Sequence, residues 1–264
     1  MLNLKEKFSN FSVHTLYFFR NISGLIIVMI SIVSIVCLNA LELSPDLYNL
    51  ITLLTVLLLI MYYLLSKKID SILIELLVKN IDLEKYEAYW QQHIKSKFGL
   101  KALAYHALAR VAFYRGYFEE SLHYFECSKN EKRQTRNSKN LLESDRKQYI
   151  IQSNIFLAKN NEHDLRSFQN VIRGVENEPY LRAILDVIYY KESNSFFEQN
   201  TDIDKTKISR LMFQFYKAQN AMLLGQHEEA QRLFSELSKE NPQLFIVQEA
   251  KMMLSELKND LSFL

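Results

Sequence analysis

The side chains best suited to chemistry in this sequence are few and scattered. His123 and Cys127 stand four apart, and Glu120 precedes His123 by three. On a helix both spacings put the ligand atoms on one face. Glu-x-x-His is the spacing by which paired helices hold two iron ions, but that chemistry needs a second such pair, and the sequence has none. Zinc needs three or four ligands. The chain offers two isolated Cys, Cys37 and Cys127, and six dispersed His. No metal is therefore expected: His123 reads as a solvated helix residue and Cys127 as a small packing residue. A third pair, His106 and Arg110, is also four apart and sets an imidazole beside a guanidinium on one helix face.

No motif supplies a catalytic set. The sequence lacks G-x-S-x-G, a phosphate-binding P-loop, G-x-G-x-x-G, H-E-x-x-H and C-x-x-C, the spacings that build nucleophile elbows, phosphate cradles and zinc sites. Only five Gly and three Pro occur in 264 residues, which argues against a dinucleotide fold, a β-sandwich or a collagen-like chain. Seventeen Phe and fifteen Tyr argue against disorder. A net charge of +2 gives no basic excess for nucleic acid. The expectation is an all-α protein that is not an enzyme, takes no cofactor and binds no nucleic acid.

The elements that must carry these residues fall into two kinds. Asn21 to Leu41 and Leu47 to Leu65 hold no charged residue. Each is about 20 residues, or about 30 Å of helix, enough to cross a bilayer core. Between them Ser44 can cap the second helix, Pro45 suits its first position and Asp46 complements its dipole. The segment 21–65 thus reads as a transmembrane helical hairpin in contact with membrane lipid. Lys5, Lys7 and Arg20 precede it and Lys67 and Lys68 follow it, whereas its loop carries only Glu42 and Asp46. The positive-inside rule then puts both termini in the cytoplasm. The apolar run is too long for a signal peptide and lacks its small-residue cleavage site. Cys37 lacks the small neighbour expected before a lipidated Cys. Residues 1–20, with Leu4, Phe8, Phe11 and Phe18 at helical spacing, read either as an interfacial helix or as an unstructured lead-in. Two isolated Cys fit a reducing compartment, and the richness in Lys, Asn and Ile points to a bacterial cell membrane.

Residues 66–264 are helical and repetitive. Leu103 to Lys129 reads as two amphipathic helices joined at Gly116, and Leu211 to Pro242 as two joined at Gly225. In the later unit Ala230, Phe234 and Pro242 keep the spacing of the A-x3-F…P pattern. In the earlier one Tyr105, Leu108, Ala109 and Ala112, then Gly116, Phe118, Ser121 and Phe125, continue the match. These units resemble the tetratricopeptide repeat (TPR) family. Gln214 and Lys217 depart from it, standing where an aromatic and a Leu are usual. Weaker pairs are read at 68–80 with 83–96, at 147–159 with 163–174, and at 180–191 with 194–200. A terminal helix is expected over Phe245 to Leu257, giving about five helix pairs. Residues 129–147, rich in Lys, Arg and Asn, form a basic insertion. It reads as a solvated loop or as a patch facing anionic lipid or an acidic partner.

The resemblance implies an α-solenoid whose first helices line a concave groove for a protein or peptide partner. The residues it would place there are His106, Arg110 and Phe113 in the early unit, and Phe215, Gln219 and Met222 in the late one, beside Leu103 and Met212. Inter-helix packing is the alternative use of the same positions. Only Arg110 falls where chaperone-linked members carry a carboxylate clamp, so chaperone tails are not expected as ligands. The function implied is a membrane-anchored protein-interaction scaffold. The alternative is a receptor or immunity-type factor for a membrane-active or secreted peptide, with its specificity in the hairpin.

Overall fold

The computed structural model describes residues 12–40, 44–96, 100–131, 136–159, 169, 172–175, 177–200 and 206–261. Among these, all regular structure is helical and there is no strand. The chain divides into two compact units, residues 1–92 and 93–264.

In the first unit Ser12 opens α1 (Val13–Tyr17), its hydroxyl oxygen accepting from the Thr15 amide at 3.2 Å. A π-helical turn, Phe18–Ile22, leads directly into α2 (Ser23–Ala40). The second apolar helix, α3 (Pro45–Glu75), has Pro45 in its first turn, but Ser44 makes no side-chain capping bond. A π-helical turn over Leu76–Asn80 prolongs it. Ile81, in the left-handed region at φ 56°, ends it, and the Ile81 and Asp82 amides both donate to the Leu76 carbonyl. The Asp82 carboxylate then accepts from the Lys85 amide at 3.0 Å and starts α4 (Leu83–Lys95). Residues 68–80, expected as a separate helix, are therefore the continuation of α3: no Gly or Pro interrupts the chain between Leu47 and Asn80.

Two helical stretches, Val13–Ser34 and Asp46–Asn80, are long and apolar enough to cross a membrane. Along α3 the side chains change partners at one point. From Leu47 to Leu64 the large apolar residues face outward, with Leu53 57% and Met61 66% exposed. From Ser66 onward, Ile69, Ile72, Leu73, Leu76 and Leu77 are buried, in the core that also holds Leu16, Leu83 and Tyr89. Arg20 ties α1's end to α3 by donating from Nε to Asp70 at 3.0 Å, and the Tyr62 hydroxyl donates to the Arg20 carbonyl at 2.9 Å. Gly24 lets α2 pass under Tyr62, because a Cβ there would collide with the tyrosine ring. Residues 66–92 thus belong with the apolar helices, not with the repeats that follow. Residues 1–11, where the interfacial helix was expected to begin, lie outside the described residues.

In the second unit α5 (Lys101–Arg115) and α6 (Phe118–Asn130) form a hairpin at Gly116, and α10 (Lys207–Leu223) and α11 (His227–Leu237) form another at Gly225. Both glycines have positive φ, a conformation that costs other L-residues about 1–2 kcal/mol. Between the two hairpins lie α7 (Arg136–Lys159), α8 (Pro179–Leu185) with its π-helical turn Asp186–Tyr190, and the short α9 (Phe196–Gln199). The last helix is α12 (Phe245–Leu261).

Alanines at 102, 104, 107, 109 and 112 let neighbours close on α5 from all sides. Hydroxyls then lock its register to α6: Ser121 donates to the Ala109 carbonyl and Ser128 to the Ala102 carbonyl, both at 2.8 Å. The expected loop over 129–147 is corrected in its second half, where residues 136–147 form the first three turns of α7. Its Lys, Arg, Leu, Glu and Gln are good helix formers, and no Gly or Pro breaks the run. The partner helix expected at 163–174 falls mostly outside the described residues. The truncated pair at 180–200 corresponds to α8 and α9.

Candidate functional site: a polar ladder and its cavity

On α5, His106, Arg110 and Tyr114 stand four apart and share a face. On α7, Asp145, Tyr149 and Gln152, spaced by four and then three, also share a face. The two rows meet rung by rung. Nε2 of His106 lies 2.7 Å from Asp145 Oδ2, Arg110 Nε donates to the Tyr149 hydroxyl at 3.2 Å, and the Tyr114 and Tyr149 hydroxyls are 2.6 Å apart. The first two rungs have the same sequence offset of 39 residues, so α5 and α7 run in the same direction. One further rung extends the row to α10, where the Tyr216 hydroxyl donates to Gln152 Oε1 at 2.8 Å.

The charges inside this ladder balance. Burial pushes the Asp145 carboxyl up, but the hydrogen bond from His106 and the Arg110 charge outweigh it and hold it below the usual carboxylate range. As an ionised carboxylate Asp145 can only accept, so Nε2 of His106 carries the hydrogen of their bond. Nδ1 of the same buried ring has no hydrogen-bond partner among the described residues. Arg110 sits 4.0 Å from Asp145 and 5.5 Å from the centre of the Tyr149 ring. Burial raises the Tyr149 and Tyr216 phenols well above their ordinary value, so both remain neutral hydroxyls.

Beside the ladder opens a cavity of about 90 Å3, lined among others by Tyr114, Gln148, Tyr149, Gln152, Ser209 and Met212. Its walls come from α5, α7, α8 and α10, and its lining mixes phenol, amide and hydroxyl groups with Phe113 and Phe213.

The residues expected in a groove are distributed differently. His106 and Arg110 are brought together, with Asp145 as the shared partner. Phe113 and Phe215 are 1% and 0% exposed. Both rings pack on Phe245, at 5.9 and 6.0 Å, so they form core and offer a partner no surface. Gln219 and Met222 are partly exposed on the later turns of α10, and Met212, beside the cavity, is buried. His123 and Cys127 lie 3.6 Å apart on α6. No group of three or more His, Cys, Asp or Glu is placed to hold a metal among the described residues. Asp145 and Tyr149 escaped the sequence reading because they sit in and just after the segment read as an insertion. The available signal was the four-residue spacing that matches His106 and Arg110.

Comparison with known protein families, with characterised proteins and with solved structures finds no match to this chain.

Proposed function

We propose that the chain is a membrane-anchored, TPR-like scaffold that binds a protein or peptide at the cytoplasmic face of a membrane, in a bacterial cell. The observation that carries this reading is the outward apolar surface of α3 from Leu47 to Leu64. A stretch of this length in which only Asn49, Thr52 and Thr55 are not Leu, Ile, Val, Met or Tyr would be strongly unfavourable in water, whereas a hydrocarbon layer matches it in chemistry and length. Lys67 and Lys68 flank this stretch, where long cationic chains reach the headgroups. In the second unit, two glycine-turn hairpins and the parallel α5/α7 ladder support stacked helix pairs. Phe245 reaches back to the first hairpin, touching Phe118 at 5.3 Å, which favours a short, closed stack over an extended solenoid. Anchoring holds such a binding surface at high effective concentration near membrane partners.

A photo-crosslinking residue at Gln148, an exposed position on the cavity rim, tests the reading in intact membranes of the native cells. The protein is expected to stay in the membrane after an alkaline carbonate wash and to give one dominant protein adduct. Release by carbonate would remove the anchor, and absence of an adduct would remove the scaffold.

A second reading, a receptor or immunity-type factor with specificity in the hairpin, draws on the tailored crossing of Gly24 under Tyr62 and the Arg20–Asp70 ion pair. Exchanging residues 21–65 for an unrelated two-span anchor separates the two: a scaffold keeps its adduct, a hairpin-dependent receptor loses it.

A further inference from the structure

The cavity beside the ladder has an unequal supply of hydrogen-bonding groups. Tyr114 and Tyr149 together carry two phenol hydrogens, yet one short contact joins their oxygens. One of the two hydrogens satisfies that contact, and Arg110 already donates to Tyr149, so one phenol hydrogen is left to seek an acceptor. Gln152 spends its carbonyl on Tyr216. The reverse orientation of the amide would leave the fully buried Tyr216 hydroxyl hydrogen without an acceptor. The NH2 of Gln152 is therefore the part left over. Ser209 accepts from the Thr206 hydroxyl at 2.8 Å, and its own hydroxyl hydrogen is a third spare donor. All three groups line the same cavity.

Donors left over on a cavity wall call for an oxygen acceptor, since a donor cut off from water without one costs about 1–3 kcal/mol. The electrostatics then choose the kind. The Arg110 charge is met by Asp145 at 4.0 Å, and the cavity lining adds no charged side chain. Burying an anion there would be expensive. A volume of about 90 Å3 holds about three waters, or one small planar group.

We infer that this cavity is a binding site for an uncharged carboxamide, whose carbonyl oxygen meets the Tyr114/Tyr149, Gln152 and Ser209 donors. The amide N–H groups turn outward to Gln148, whose exposed side chain supplies an acceptor at the rim. The Tyr149 phenol, held far from ionisation by burial, stays protonated across the neutral pH range. The inference deepens the scaffold reading: the carboxamide is supplied by an Asn or Gln side chain of a bound segment or by a free small amide.

The test uses the full-length protein in detergent micelles with 13C-methyl methionine. Met212, buried at the cavity wall, is the reporter, and Met212→Leu assigns its signal. Acetamide, acetate and N-acetyl-glutamine amide are titrated in turn. Acetamide is expected to shift the Met212 signal saturably with a Kd on the order of millimolar, leaving exposed methionines such as Met252 unmoved. Tyr149→Phe and, separately, the milder Ser209→Ala should each weaken binding by about fivefold. Tighter binding of acetate than acetamide would overturn the choice of a neutral ligand. No saturable shift with any probe, or shifts indifferent to both substitutions, would overturn the site. Tighter binding of the blocked glutamine assigns the amide to a peptide, and tighter binding of acetamide assigns it to a free ligand. Because the small probes need no partner protein, failure here is distinct from failure of the crosslinking experiment, which tests the scaffold.

Discussion

The hairpins α5/α6 and α10/α11 share one turn and differ in everything around it. In each, the glycine amide donates to the carbonyl three residues back, and the next amide donates to the carbonyl five residues back. Gly116 and Gly225 have φ of 84° and 72°. Yet a Cβ on Gly116 would come within 2.9 Å of the Phe245 Cβ, whereas one on Gly225 would meet nothing within 4 Å. The helix before Gly116 is buried on all sides, and the helix before Gly225 keeps a partly open face. A local motif fixes the turn; what packs on it decides how much the turn matters to the whole unit.

The strongest way to break this contrast is at Phe245, the residue that causes it. Phe245 contacts Phe113, Phe118, Phe156 and Phe215, so Phe245→Ala is expected to cost about 3–5 kcal/mol in denaturant unfolding. Because alanine keeps the Cβ that a side chain at 116 would meet, only Phe245→Gly, which removes it, should bring the two glycine positions closer in tolerance. With Phe245 in place, Gly116→Ala should cost about 2–3 kcal/mol, combining strained φ with a steric clash, and Gly225→Ala about 1 kcal/mol from φ alone. Equal losses would refute the role assigned to Phe245. The register lock of the first hairpin is a smaller effect. Ser121→Ala and Ser128→Ala should each lower stability by about 1 kcal/mol, read as faster hydrogen exchange along α6.

The mildest effect lies in pH. The folded Asp145 carboxyl sits below its ordinary value, so it binds its proton less readily folded than unfolded. Its contribution is fully present above the unfolded carboxylate pKa of about 4 and is lost as pH falls through the lower, folded value. Asp145→Asn should therefore flatten the acid side of the stability profile while leaving its shape near neutrality unchanged. An identical acid limb in both proteins would count against the His106–Asp145–Arg110 arrangement.

Much of this architecture was legible in residue patterns. Gly116 and Gly225 marked two hairpins because so few glycines occur elsewhere, and the uncharged runs marked the long apolar helices. The hidden features depend on distance or on the absence of a stop. Residues 136–147 looked like a loop because polarity was read as exposure, although nothing there ends a helix. The continuation of α3 past Leu65 was missed for the same reason. Phe113 and Phe215, which the resemblance assigns to a groove and whose alternative use is inter-helix packing, are core because a resemblance names a face and not what covers it. The cover is Phe245, more than a hundred residues from Phe113 in sequence.

The uninterrupted course of α3 has a mechanical consequence. Its 31 residues make a rod of about 47 Å without a hinge, in which the outward row of Leu53 and Met61 and the buried row of Ile69 and Leu73 are held in fixed angular phase. Inserting one alanine after Leu65 would turn one row against the other by about 100°. An axial rotation or tilt imposed on the apolar end therefore arrives undamped at the Arg20–Asp70 contact, and the helix acts as a torsion shaft.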